Sequence, residues 1–171
     1  MTTDTTERGL ERLICRALTG HPCDSAGDAA GGVVAGGWVC GDPNDYDREY
    51  CVDLVQLSAF LRDTRPDIAD ALDLDGDSPT RRQFLARLQG EISKHGTVEV
   101  LRHGIRHRAH NLDLFYGTPS PGNERAGALF EANRFSVTRQ LRYSRDETRL
   151  ALDLALFVNG LPIATFELKT T

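Results

Sequence analysis

Lysine is nearly missing from this 171-residue chain: its basic residues are almost all arginine, and Lys94 and Lys169 are the only lysines. A lysine inside a chemically meaningful pattern is therefore not compositional background. A basic excess is missing too, since the formal net charge is −5, which excludes a protein that coats nucleic acid by bulk attraction. No run approaches the roughly 20 apolar residues that a bilayer span requires, and residues 1–20 lack a basic start followed by an apolar stretch. No membrane contact and a cytoplasmic location are the expectation. Cys15, Cys23, Cys40 and Cys51 contain no CxxC pair, which argues against a zinc cluster or redox motif and predicts four free thiols. Glycine-rich residues 20–41 hold no GxxxxGK[ST], so their glycines mark a loop rather than a phosphate cradle.

What is present suits one domain with a sizeable core, carrying a loop and helical insertion over residues 20–96. Charge is unevenly spread. Residues 42–79 hold eleven Asp/Glu against three Arg, whereas residues 101–149 hold nine Arg against five acids, so contact with a polyanion belongs to the later half. Arg139, Arg142 and Arg145 are the candidate DNA contacts if folding brings them to one face; a scattered solvated surface fits the same counts. His103, His107 and His110 lack a fourth donor at convincing spacing and sit among arginines that oppose a cation.

Residues 2–19 read as an amphipathic helix with an Asp4/Glu7 capping box and an apolar stripe of Leu10, Leu13, Ile14, Ala17 and Leu18. Residues 50–61 and 79–93 suit two more helices, the second with Ser78 as N-cap and Pro79 in its first turn, and the acidic stretch between them reads as a solvated turn. From Val98 the pattern becomes strand-like, with candidates at 98–105 and 112–116, a loop at 117–122 and a helix at 123–132. Alternation over 135–141 predicts a half-buried strand, and 150–158, apolar on both faces apart from Asp153, a central one. A mixed α/β (α+β) sheet flanked by helices follows.

The end of the chain can support phosphodiester chemistry. Asp153 precedes one strand, and an Asn159-Gly160 turn leads into another that carries Glu167-Leu168-Lys169. Asp153, Glu167 and the Leu168 carbonyl are oxygen donors of the kind Mg²⁺ prefers, and Lys169 is placed to orient or activate a water. Glu167 and Lys169 share a strand face, with Leu168 opposite. Paired residues of a hairpin share a face, so Asp153 joins Glu167 only if pair numbers sum to an even value. A two-residue loop pairs Val158 with Leu161 and separates the acids; a three-residue Val158-Asn159-Gly160 loop with a bulge pairs Phe157 with Leu161 and unites them. The bulged turn is the expectation. Two strand-end acids with Lys169 paired to one of them would give the same short pattern.

Residues 149–169, RLALDLALFVNGLPIATFELK, resemble the nuclease segment of type I restriction endonuclease R subunits (HsdR), members of the PD-(D/E)XK nuclease superfamily. Asn133-Arg134-Phe135-Ser136-Val137 and the TERGLERLI of the first helix extend the likeness. The resemblance implies a restriction-endonuclease-like fold, metal ligation by Asp153 and Glu167, a catalytic Lys169, and an acidic helix residue, Glu7 or Glu11, added to the site. It also implies double-stranded DNA as substrate, Mg²⁺ as cofactor, methylation and specificity subunits as partners, and ATP used only by a downstream motor region. Leu152 replaces the proline of the family signature, and the chain ends before the family's Gln-xxx-Tyr motif, so a fragment weak or inactive alone is expected. The competing reading is a non-catalytic DNA-binding or subunit-docking module with a nuclease-like sheet.

Overall fold

The computed structural model describes residues 6–24 and 37–169. In chain order these form α1 (Glu7–Thr19), β1 (Trp38–Cys40), a 3-10 turn (Pro43–Asp45), β2 (Tyr46–Asp47), β3 (Val52–Asp53), α2 (Leu54–Thr64), α3 (Pro66–Leu72), α4 (Pro79–His95), α5 (Thr97–His103), β4 (Ile105–His107), β5 (His110–Leu112), α6 (Glu124–Glu131), β6 (Phe135–Leu141), β7 (Leu152–Val158) and β8 (Leu161–Phe166). The architecture is mixed α/β. Its main sheet has the order β1-β6-β7-β8, with β1 parallel to β6 and the other pairs antiparallel. β7 is thus an interior strand, as its two-sided apolar pattern predicts.

Local chemistry explains most boundaries. Ser78 caps α4 by accepting from Arg81 N–H, with Pro79 in the first turn, and Asn123 caps α6 through Ala126 N–H. Thr6, not Asp4, caps α1 by accepting from Gly9 N–H; Asp4 lies outside the described residues. Two expectations fail on tertiary grounds. Residues 97–103 are helical despite their β-branched Val98 and Val100, because Val100 and Leu101 bury against the helical core and burial outweighs the small propensity difference. The acidic stretch is not merely a turn, since α3 starts with Pro66 and buries Ile68, Ala69 and Leu72. The expected strand at 112–116 shrinks to His110–Leu112.

The largest core is built mainly by helices, where Leu57 and Phe60 of α2 and Phe84, Leu85 and Leu88 of α4 are fully buried and meet the sheet through Val158 and Leu161. Each such side chain contributes roughly 1.5–3 kcal/mol. A second, smaller core places Cys15 of α1 against Val137 and Leu154. The face that α1 presents there is only partly the predicted one, since Ile14 and Leu18 pack against this core but the rest of the stripe does not. Glu11, Cys15 and Thr19, at four-residue spacing, are buried, while Leu10 and Leu13 remain 39% and 45% exposed. The polar groups are tolerated inside because each has a partner: Glu11 pairs with Arg139, and the Thr19 hydroxyl donates to the Cys15 carbonyl.

The expectation of four free thiols is also corrected. Cys23 and Cys40 are disulfide-bonded across a 5.4 Å Cα separation, leaving buried Cys15 and exposed Cys51 free. A separation of 17 residues carries no spacing signal; the pairing arises because the segment after α1 returns beside β1.

Candidate functional site

The β7–β8 hairpin decides whether the two acids can meet, and it does so differently from the predicted bulged turn. Val158 pairs with Leu161 across a two-residue Asn159-Gly160 loop in which both residues have positive φ, 51° and 81°, the combination that matches strand twist. Phe157 pairs with Pro162 in that same register, but Leu156 then pairs with Ala164 and Leu154 with Phe166. The shift falls at Pro162-Ile163. Proline has no N–H to give the ladder and is confined to edges and bulges, so Pro162 is the signal that sequence reasoning missed. The even-sum condition is met beyond the bulge, and one step past Leu154↔Phe166 lie Asp153 and Glu167. The even register that parity asks for is reached through a bulge in the strand instead of the turn, and Glu167 follows just beyond the end of β8.

The tight turn is held from outside. Asn159 is fully buried; its Oδ1 accepts from Arg134 N–H at 2.6 Å, and its Nδ2 donates to the Leu114 carbonyl at 2.8 Å and to Asn133 Oδ1 at 3.0 Å. Gly160 lies so close to the start of α2 that a Cβ would sit 2.4 Å from the Asp53 carbonyl oxygen and 2.7 Å from Leu57 N. A side chain at this position has no room.

Asp153 is half-buried, and its Oδ2 accepts from Leu168 N–H at 2.6 Å. That bond fastens the carboxylate to the backbone between Glu167 and Lys169. Leu168 itself packs toward α1 with Ile14 and Leu18, leaving Glu167 and Lys169 exposed. Neither forms an ion pair with a described residue, so Lys169 is not neutralised by a strand-end acid there. Asp153 borders a cleft of about 670 Å³ together with Glu7, Glu11, Arg139 and Gln140. Glu167 and Lys169 are not among its walls. Among the described residues no three His, Cys, Asp or Glu are gathered as a metal cluster.

Two predicted site residues are differently employed. Glu11 is buried, and its carboxylate takes Arg139 Nε and Nη2, each at 2.9 Å, and Gln140 Nε2 at 2.9 Å. Both of its oxygens are thus engaged by neighbouring side chains in the fold. Arg139 is only 8% exposed and also meets Asp24 and the Pro22 carbonyl, which removes it from a DNA-facing surface. Glu7, in the first turn of α1, remains exposed at the cleft. Arg142 and Arg145 are exposed. Arg142 lines a neighbouring cleft with Arg48 and Arg149, and that cleft shares Pro43, Asn44 and Gln140 with the acidic one. Arg48 lies in the acid-rich stretch, where sequence counts gave no reason to look for a phosphate contact.

Asp53 was also missed. It is buried at the N-cap of α2, where it accepts from Gln56 N–H, and burial pushes its carboxyl up to about 6, with Asp45 adding to the rise. Thr138 Oγ1 and Asp53 Oδ2 both lie within 4 Å of the position a Cβ on Gly41 would occupy.

Residues 91–171 match the family model described as the type I restriction enzyme R protein N terminus. The matched stretch contains β6, β7 and β8 and leaves α1, β1 and α2 outside it. Comparison with curated proteins finds no match, and comparison with solved structures finds none.

Proposed function

We propose that this chain, whose residues 91–171 match the family model of the type I restriction enzyme R protein N terminus, supplies the divalent-metal-dependent nuclease site of such a protein and cleaves double-stranded DNA. The observation that carries the reading is the 2.6 Å bond from Leu168 N–H to Asp153, because it draws the Glu167–Lys169 segment onto the one acid of β7. Two carboxylates and a carbonyl fit Mg²⁺, which holds oxygen ligands, keeps several waters and needs only one or two protein carboxylates. Asp153, Glu167 and the Leu168 carbonyl would hold it, with Glu7 the remaining acidic side chain of α1 at the cleft. When bound, such an ion neutralises phosphoryl oxygens and makes a coordinated water more acidic.

The chain's own groups do the rest. Lys169, two residues after Glu167 and just beyond β8, orients the attacking water and offsets charge that develops on the phosphoryl oxygens. Arg48, Arg142 and Arg149, in the adjoining cleft, hold backbone phosphates beside the scissile bond, a contact that fixes position without reading sequence. Mg²⁺, the DNA substrate, and association with methylation and specificity subunits are parts of the proposal, as is an ATP-driven motor elsewhere in the R protein. In the complete R protein, Lys169→Ala should abolish DNA cutting while leaving ATP hydrolysis largely intact. Equal cutting by variant and parent would refute the assignment and favour a docking module.

A further inference from the structure

One residue of β6 has a backbone conformation that its side-chain type does not favour. Gln140 has φ 51°, a left-handed conformation uncommon outside glycine, asparagine and aspartate and costing about 1 kcal/mol or more. It lies between Arg139, paired with Leu154, and Leu141, paired with Leu152, and therefore stands opposite Asp153. Its Nε2 donates to Glu11 Oε1 at 2.9 Å and to Asp153 Oδ1 at 3.4 Å. Glu11 cannot follow Gln140 elsewhere, because the buried Arg139 guanidinium holds its other oxygen. The result is a fixed chain of contacts: Arg139 anchors Glu11, Glu11 anchors the Gln140 amide, and that amide and Leu168 N–H grip the two oxygens of Asp153 from opposite ends.

We infer that Gln140 is a positioning residue: its amide, locked by Glu11, sets the rotation of the Asp153 carboxylate toward the metal. The inference rests on the proposed metal role of Asp153. An amide suits the task because it joins two carboxylates without adding charge, whereas a lysine or arginine there would compete with the metal. The left-handed backbone aims that amide toward the end of α1. Partners that orient a metal-binding carboxylate typically change metal affinity by about 10- to 100-fold when removed.

The test is titration calorimetry of the full chain with Mn²⁺ alone, comparing the parent with Gln140→Gly, Gln140→Ala and Asp153→Ala. Gln140→Gly keeps the positive φ without strain while removing the side chain that carries the amide, so it separates loss of positioning from loss of folding. Mn²⁺ affinity should fall at least about tenfold in Gln140→Gly, while thermal stability stays at or above that of the more strained Gln140→Ala. A smaller fall in affinity overturns the inference. Asp153→Ala separates the two levels: if it binds Mn²⁺ as tightly as the parent, the metal reading has failed and takes the inference with it. If Asp153→Ala loses binding while Gln140→Gly retains it, only the role of Gln140 is refuted.

Discussion

Replacing Glu11 with leucine tests whether this acid serves the fold rather than the metal. In the native protein the Glu11 and Arg139 side chains are 3% and 8% exposed and joined through two guanidinium nitrogens. Removing one member of such a pair leaves a buried charge uncompensated, at a cost of about 3–5 kcal/mol. Arg139 keeps the Pro22 carbonyl and Asp24, which is 34% exposed, so the lower end, about 3 kcal/mol, applies. In a protein of this size that corresponds to a fall in Tm of roughly 6–12 °C, readable by calorimetry or urea unfolding. Glu11→Leu combined with Arg139→Met removes both charges and should recover most of the loss, since apolar replacement of a whole buried pair is often neutral or better. Asp24 retains Arg12 in that variant. A loss below about 1 kcal/mol in the single variant, or a double variant less stable than the single one, would refute the anchoring role.

Asp53 gives the chain a specific pH dependence. Its folded-state carboxyl, at about 6 against an ordinary 3.8, binds a proton more tightly than in the unfolded chain. Its contribution is therefore full below pH 3.8 and is lost as pH rises through 6. Asp53→Asn, which still caps α2, should gain on the parent by about 2–3 kcal/mol between pH 4 and pH 7.5; a stability difference flat across that range, read from urea unfolding, contradicts the burial argument. Gly160→Ala should destabilise by about 3 kcal/mol or more, because the added Cβ meets the Asp53 carbonyl and Leu57 at a positive φ; a change within about 0.5 kcal/mol by the same measurement would show that the turn is not pressed against α2.

The sheet was legible where period-two or two-sided apolar patterns are strong: β6 starts and ends as read, and β7 is interior. Ser78-Pro79 announced its helix because capping is chemistry local to a few residues. The helices between β3 and β4 were read less well. Val98 and Val100 look like strand residues until the Phe84–Leu88 core is available to bury that helix, and this information lies far away in sequence. The inward face of α1 was only partly legible for the same reason: Ile14 and Leu18 pack inward as read, but a buried Glu11 makes sense only once Arg139, 128 residues later, stands beside it. The candidate site was half legible. Parity demanded a one-residue bulge somewhere between Asp153 and Glu167; attention to the missing N–H of Pro162 would have moved it out of the turn. Gln140 gave no signal, because neither its φ nor its bridge from Glu11 to Asp153 is written in local sequence.

A crystal structure of the chain soaked in Mn²⁺, with the ion located by its anomalous scattering, tests the account most directly. The prediction is one ion touching both the Asp153 and Glu167 carboxylates, with Glu11 still bound to Arg139. An ion held by Glu11, or Asp153 and Glu167 facing opposite sides of the sheet, would contradict it.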